Sequence, residues 1–389
     1  MIDKKVLPLT IGGLAIGTTE FTIMGLLPDI AQSMHITIPE AGHFISAYAF
    51  GVVVGAPLLI GYTAKYSPRK VLFALMIMFT VFNGLSAAAN SYTFMMISRF
   101  LSGLPHGAFF GVGTVVASRI AGPGREARYI ARMFTGLTFA NLAMVPLVTF
   151  IGHTFDWRWY FIIVGLIGLL TLLAIYLWLP HMEGRPNTNF KNELRFVKNR
   201  QAWYVLAITG IGFGGLFAWF SYISPLMTTV AGFQSKDMAY IMVVAGAGMV
   251  VGNIAGGMLA DKSGAAKTTP LLMLTMMIAL ASVFFFAQYS WIALALTFIC
   301  GALSMAVSAP INIMMMKAAP GTEMMGAAFM QAAFNFANSS GAYLGGIPLE
   351  NGLPYTYPSL VGMGMTFIGL LICMYYNYKY NSTSKLQLA

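Results

Sequence analysis

The stretch Thr18-Thr19-Glu20-Phe21-Thr22-Ile23-Met24-Gly25-Leu26-Leu27-Pro28-Asp29 decides how the rest of the chain is interpreted. It closes an apolar run that begins near Val6 and is long enough to cross a bilayer. Glu20 lies about fourteen residues into that run, roughly 21 Å along a helix and inside a hydrocarbon layer of about 30 Å. A carboxyl group at that depth is costly, so we expect Glu20 to be protonated, paired or facing water.

The composition places most of the chain in lipid. Of its 389 residues, 58% are hydrophobic and only 9% are charged, whereas soluble domains carry about 25% charged residues. The formal net charge is +10, but the basic residues are scattered through short connections and form no patch, so we expect no nucleic-acid partner. Both cysteines, Cys300 and Cys373, fall in apolar segments, which implies no disulfide framework.

Apolar runs of spanning length recur about twelve times, separated by short polar or Pro/Gly-rich connections. The N-terminus leads directly into the first run without a small-residue cleavage site, so we expect a retained helix and not a signal peptide. The predicted spans are residues 6–28, 41–63, 71–89, 93–118, 129–151, 158–179, 202–227, 239–260, 269–288, 291–316, 324–346 and 356–378.

The distribution of basic residues sets the predicted orientation. With the N-terminus inside, nineteen of the 22 lysines and arginines fall in cytoplasmic segments, Arg158 and Lys236 fall outside, and Arg99 stays within a span. This asymmetry is what the positive-inside rule requires, and shifting the count by one helix would destroy it. We therefore predict a multi-pass protein of the bacterial inner membrane with both termini in the cytoplasm.

The two halves of the chain repeat each other at an offset of 197 residues. Each match falls at the corresponding place in its half, which argues for a duplicated six-helix unit around a midplane site. The predicted domains are two bundles, 1–180 and 202–389, joined by a linker, 181–201, which is either a basic amphipathic helix on the inner leaflet or a solvated connection. The matches are Gly51–Gly55 with Gly248–Gly252, Phe139–Asn141 with Phe336–Asn338, and Pro28 with Pro225.

At this point the sequence resembles the major facilitator superfamily over its whole length. The superfamily's loop signature between the second and third spans is found, altered, at Gly61–Lys70, and its repeat copy at Gly257–Gly264 keeps an acidic residue, Asp261. Glu20–Pro28 and Arg99–Gly113 are similar to the arabinose and sugar efflux permeases of the twelve-helix drug:proton antiporter branch. The resemblance implies an all-α membrane protein with twelve transmembrane helices in two pseudo-symmetric six-helix bundles.

Glu20, Arg99 and His106 are the candidate proton-coupling residues. Desolvation raises the pKa of a carboxyl group, which lets Glu20 load and release a proton near physiological pH; the alternative is a static ion pair. Arg99 reaches a similar depth on the fourth span, so we expect it to interact with Glu20, and the resemblance implies a part in proton transfer. His106 lies seven residues further along the same helical face and is either a relay or a hydrogen-bonded packing residue.

The candidate substrate-binding residues are amides and aromatic or thioether side chains. Buried amides hydrogen-bond a polar solute or a neighbouring helix, and aromatic faces attract cations. The candidates are Phe21, Met24, Tyr48, Phe109, Phe110, Asn141, Trp219, Tyr222, Asn312, Gln331 and Asn335.

Residues at the predicted cytoplasmic ends form a candidate conformational latch, with plain topology-determining charge as the alternative. They are Gly61 and the charged residues Arg69, Lys70, Asp261 and Lys262. No metal-ligand spacing, catalytic triad or phosphate-binding loop is evident, so we expect neither an enzyme, a metal, a cofactor nor a primary pump. The sequence predicts a monomeric secondary transporter that exports a sugar or drug-like solute in exchange for protons. The alternative is a facilitative exporter without proton coupling.

Overall fold

A computed structural model of the chain describes residues 4–63, 65–121, 125–183, 196, 198–320 and 323–381, and these residues form helices and short connections without a strand. The first six spans are Leu7–Gly25, Ile38–Thr63, Pro68–Ala87, Tyr92–Ala121, Glu126–Thr154 and Arg158–Trp178. The seventh begins at Arg200, and the others are Met238–Ser263, Ala265–Phe286, Ser290–Ala318, Glu323–Glu350 and Tyr357–Asn381. Most of the predicted linker, with its proposed amphipathic helix, lies outside the described residues.

Eleven of these helices are long and apolar enough to cross a membrane, judged over the part of the chain that the structure describes. The eleventh span, Glu323–Glu350, has the length but is not among them. It carries Gln331, Asn335 and Asn338, which lower its mean hydropathy. The protein is therefore an all-α multi-pass membrane protein whose eleventh span is its most polar one.

Three spans depart from regular α-helix, and one of them is the seventh, which contains π-helical turns at Ile208–Phe213 and Leu226–Val230. The first ends at Gly25, earlier than predicted, and a separate short helix, Leu27–Met34, follows a bend at Leu26. The fifth contains a π-helical turn, Ala140–Met144, directly before Pro146. Proline has no N–H for the i−4 carbonyl and its ring clashes with it, which explains why the turn widens at this place. Asn141 lies on this widened turn.

The chain divides into two compact units, Met1–Phe190 with Ser235–Val243, and Lys191–Gln234 with Val244–Ala389. In the N-terminal unit, the first span packs on the fifth and sixth, and the third packs on the fourth and sixth. In the C-terminal unit, the seventh packs on the eleventh and twelfth, and the ninth packs on the tenth and twelfth. The same pairs of helices therefore meet in both units, as a duplicated unit predicts.

Matched glycines explain one of these repeated contacts. A Cβ atom added at Gly51 would lie 2.1 Å from the carbonyl oxygen of Phe100, and one added at Gly248 would lie 2.2 Å from that of Phe298. Only glycine lets the helix backbones approach this closely. The small-residue pairs in the second and eighth spans thus hold those spans against the fourth and tenth.

Candidate functional site

Glu20 lies in the most enclosed part of the N-terminal unit. Every residue of the first span from Ala15 to Gly25 is buried, and Glu20 itself is 8% exposed. A helix that is buried on all sides must place its polar groups against other side chains. Among the described residues, Glu20 is the one buried acidic residue.

Arg99 is completely buried on the fourth span and is bound by several groups. Its guanidinium carbon lies 4.3 Å from the ring centre of Tyr48 and 5.6 Å from that of Phe161. Its Nη1 atom donates to the Thr19 hydroxyl at 3.2 Å, whereas Nη2 has no hydrogen-bond partner within the described part of the chain. Arg99 is therefore a desolvated cation with unused donor capacity, beside the helix turn that carries Glu20.

Thr19 connects three spans to the first. Its hydroxyl donates to the Asn83 side-chain oxygen of the third span at 2.7 Å and accepts from Arg99 of the fourth. The Tyr160 hydroxyl of the sixth span donates to the Thr19 backbone carbonyl. Sequence reasoning missed Thr19 and Tyr160, because a threonine and a tyrosine inside apolar segments carry no motif.

Tyr48 extends this polar cluster to His106. Its hydroxyl oxygen lies 3.1 Å from His106 Nδ1, while its ring contacts Arg99. Both residues were predicted, Tyr48 as part of a binding wall and His106 as a relay. The structure brings them together with Arg99 in one row of contacts: Thr19 binds Arg99, Arg99 contacts Tyr48, and Tyr48 contacts His106.

Glu20 belongs to the same cluster. It follows Thr19 directly in the chain, in the fully buried part of the first span. Its neighbour Thr19 binds Arg99 directly. These contacts support a Glu20–Arg99 interaction, which stays a prediction.

Four of the predicted binding residues are buried around the first span. Phe21 and Met24 are 5% and 0% exposed. The ring of Phe109 lies against Gly12 of the first span, and the ring of Phe110 stacks on Phe134 of the fifth, with 5.0 Å between ring centres. Phe109 and Phe110 therefore contribute to helix packing within this unit, and their contact with a solute stays a prediction.

The predicted binding residues of the C-terminal unit are uncharged and mostly buried. The Tyr222 hydroxyl donates to the Ala342 carbonyl at 2.8 Å and holds the seventh span to the eleventh. Trp219 is buried beside it in the chain, and Asn312 Nδ2 donates to the Ser308 carbonyl at 2.9 Å.

The amides of the eleventh span lie three and four residues apart on one helix face. Asn335 donates to the Gln331 carbonyl at 3.1 Å. Its side-chain oxygen and both amide atoms of Asn338 are buried without a hydrogen-bond partner among the described residues. Unsatisfied amides in an apolar interior are costly, so they are candidates for contact with a polar solute.

The predicted latch residues lie at helix ends in their own units. Arg69 Nη2 donates to the Tyr176 carbonyl in the last turn of the sixth span at 2.7 Å. Gly61 is half-buried near the end of the second span, and Lys70 is exposed near the start of the third. Asp261 and Lys262 are exposed at the end of the eighth. Their part in a latch stays a prediction.

One ionisable pair was not expected from the sequence. Asp29, on the short helix after the first span, lies 2.9 Å from His153 Nδ1 in the last turn of the fifth. A histidine at the end of an apolar run gives no sign of which helix it meets, so only the packing reveals this contact.

Known proteins with similar sequences and folds are membrane transporters. The family model described as the Major Facilitator Superfamily matches residues 9–346. The chain belongs to the major facilitator superfamily. It is 36% identical over 379 residues to AraJ of Escherichia coli (strain K12), covering 97% of this chain and 96% of AraJ. It is also 36% identical over 373 residues to the inner membrane transport protein YdhP of the same strain, covering 95% of both chains.

Solved structures of superfamily members share the fold at low sequence identity. The crystal structure of a D-xylose–proton symporter has a TM-score of 0.78 at 16% identity, covering 95% of this chain and 96% of the other. A bacterial homologue of the human lysosomal transporter Spinster has a TM-score of 0.72 at 14% identity, covering 95% of both. The protein is a transporter of this superfamily, not an enzyme, and it moves a small solute across a membrane.

Proposed function

We propose that this transporter exports a small organic solute, a sugar or a drug-like compound, in exchange for protons. The observation that carries the proposal is the burial of Glu20 beside a fully buried arginine whose Nη2 atom has no partner among the described residues. Membrane interiors retain ionisable groups mainly where they work. Proton coupling also occurs on this fold, since one structural neighbour is a D-xylose–proton symporter.

In the proposed mechanism, Glu20 carries the proton and Arg99 responds to its charge. When Glu20 is ionised, the guanidinium group is drawn toward the carboxylate; when Glu20 is protonated, that attraction is lost. Thr19 and Tyr48 contact Arg99, and Tyr160 binds the Thr19 carbonyl next to Glu20 in the chain. Through these contacts and the Thr19–Asn83 bond, the difference is transmitted to the third, second and sixth spans. His106 completes the row as a relay or as a ligand of the solute.

The remaining parts of the proposal follow the predicted topology. The solute contacts the aromatic and amide residues named above, and the unsatisfied amides of Asn335 and Asn338 are the strongest of these candidates. Both termini lie in the cytoplasm, the protein acts as a monomer in the inner membrane, and residues 181–201 link two bundles that alternate in access. Arg69, Lys70, Asp261 and Lys262 close the cytoplasmic side.

Proteoliposomes test the exchange directly. A thermal-shift screen of sugars and drug-like compounds on the purified protein first identifies a ligand, which is then loaded into vesicles with a lumenal pH dye. During exchange, efflux of the loaded ligand draws protons in and acidifies the lumen. Glu20→Gln should abolish the pH change, because a glutamine cannot carry the proton.

Glu183→Gln is the matched control, because it removes one carboxyl group from an exposed position after the sixth span. It should exchange protons as the unmodified protein does. Ligand-dependent acidification that persists in Glu20→Gln would exclude Glu20 as the carrier.

The second candidate is a facilitative exporter. It is favoured by the number of groups that bind Arg99, since Thr19, Phe44, Tyr48 and Phe161 already hold the guanidinium in a fixed packing position. In that case the loaded ligand leaves vesicles that contain the unmodified protein down its gradient, without any change in lumenal pH. Glu20→Gln then alters the stability of the protein but leaves this efflux unchanged.

A further inference from the structure

A groove lies at the surface of the N-terminal unit, between the start of the third span and the end of the sixth. Its volume is about 310 Å³, and its lining combines cationic and apolar side chains. None of the described residues that line it is acidic. The lining includes Arg69, Lys70, Phe73, Ile77, Tyr176 and His181.

The basic end of the groove is built to receive an anion. Arg69 and Lys70 follow directly on Pro68, where the third span begins, and no side chain of the described residues caps the N–H groups of that helix end. A helix N-terminus carries a partial positive charge, and two adjacent cations add to it. Arg69 uses Nη2 to hold the sixth span, and a guanidinium group has five N–H donors in all.

Hydrogen bonds fix the segment that closes this end. Ser67 Oγ donates to the Met182 carbonyl at 2.6 Å, and Arg119 Nη1 donates to the Glu183 carbonyl at 3.1 Å. With the bond from Arg69 to Tyr176, they tie residues 176–183 to the third and fourth spans. His181 is thereby held at the groove, which is formed before any ligand arrives.

The other end of the groove continues as an apolar surface. Phe73, Ile77 and Val81 follow one another at helical spacing on the third span, and Ile77 and Val81 are 43% and 49% exposed. Leu173 and Leu177 of the sixth span are 53% and 57% exposed on the adjoining helix. In a multi-pass membrane protein, exposed apolar surface of this kind meets lipid chains.

We propose that this groove binds an anionic phospholipid, with the head-group phosphate at Arg69, Lys70 and His181 and an acyl chain along Phe73, Ile77 and Val81. Basic pockets between membrane helices on the cytoplasmic side suit anionic lipid head groups. A soluble phosphate would use the charged end alone and leave the apolar continuation without a role. The site does not depend on proton coupling or on the identity of the transported solute.

Native mass spectrometry of the delipidated full-length protein tests the charged end. The probes are phosphatidylglycerol and phosphatidylethanolamine with identical acyl chains. The unmodified protein should retain phosphatidylglycerol preferentially, and Lys70→Gln should lower that preference about fivefold, the effect expected for one basic residue near a lipid surface. Lys65→Gln is the matched control, because Lys65 is exposed in the connection just before the third span but does not line the groove.

A second variant separates a defined site from general surface charge. Ala74 lines the groove and is exposed, so Ala74→Trp fills the groove without altering any charge, and it should also reduce retention of phosphatidylglycerol. Ala88→Trp, directly after the opposite end of the same span, is its control. Equal retention by Lys70→Gln and Lys65→Gln, or full retention by Ala74→Trp, overturns the proposal. Displacement of the lipid by inorganic phosphate would assign the charged end to a soluble anion instead.

Discussion

The N-terminal and C-terminal units share one arrangement of helices but enclose different chemistry. Gly103 packs against the Tyr48 carbonyl, and Gly301 packs against the Ala245 carbonyl in the same way. These two contacts show which residues of the fourth and tenth spans occupy equivalent positions. By this equivalence Arg99 corresponds to Thr297, and His106 corresponds to Ser304. At the offset of 197 residues, Glu20 corresponds to Phe217.

All buried acidic, basic and histidine side chains among the described residues therefore lie in one unit. The buried polar groups of the other are hydroxyl groups and amides. Because the two units pack alike but bury different side chains, the helix packing does not depend on the ionisable cluster. The proposed proton carrier therefore lies in the N-terminal unit, and the C-terminal unit offers neutral hydrogen-bonding groups.

The largest expected effect follows the loss of the buried cation. If Arg99 balances the charge of Glu20, Arg99→Met should lower the free energy of unfolding by about 3–5 kcal/mol, because it leaves a buried carboxylate without its partner. The counterpart change, Thr297→Val, should cost about 1 kcal/mol. Thermal or denaturant unfolding in detergent measures both. The double variant Glu20→Gln/Arg99→Met should be less destabilised than the sum of the single changes; simple additivity would contradict the pairing.

Moving the carboxyl group into the other unit tests whether the polar cluster is necessary. Phe217→Glu places an acid at the position that corresponds to Glu20, where the neighbouring residue is Leu216 and not a threonine. We expect a loss of about 2.5–3.5 kcal/mol, the usual penalty for an acidic residue at the centre of a membrane helix. Phe217→Leu provides the apolar control in the same unfolding assay. Equal stability of the two variants would show that the C-terminal interior solvates a carboxyl group as well as the N-terminal one.

Glycine substitutions should affect the two units alike. Gly51→Val and Gly248→Val each force two helix backbones apart and should cost about 1–3 kcal/mol. At Gly84 and Gly257, no neighbouring atom of the described residues lies within 4 Å of an added Cβ, so the same substitution there should change stability by less than about 0.5 kcal/mol. A large loss in only one unit would contradict a shared packing scheme.

The smallest expected effect concerns the contact between Tyr48 and His106. A double-mutant cycle of Tyr48→Phe and His106→Leu should give a coupling energy of about 0.6 kcal/mol, the average for hydrogen bonds between membrane helices. Ser304→Ala, at the counterpart of His106, is the single-site control because the Ser304 hydroxyl donates within its own helix, to the Gly301 carbonyl. A coupling energy of zero would show that the contact between the Tyr48 hydroxyl and His106 Nδ1 does not contribute to stability.

Local sequence properties predicted much of the architecture. Apolar run lengths indicated the spans, and the Gly51–Gly55 and Gly248–Gly252 pairs indicated where helices approach closely. The bend at Leu26 was not predicted, because Leu26 and Leu27 continue the apolar pattern while the backbone breaks between two helices. The π-helical turn before Pro146 was also missed, since proline in a membrane helix is compatible with several distortions.

The sequence by itself determined that this protein is a duplicated, multi-pass helical chain with one acid, one arginine and one histidine inside its first half. Those features depend on composition and on the spacing of residues along single helices. Only the tertiary structure decided that Thr19 joins Asn83, Arg99 and Tyr160, and that Asp29 meets His153. The contacts of Thr19 bridge separations of 64 to 141 residues, and the rotation of one helix against another, which no periodicity encodes, brings such side chains together.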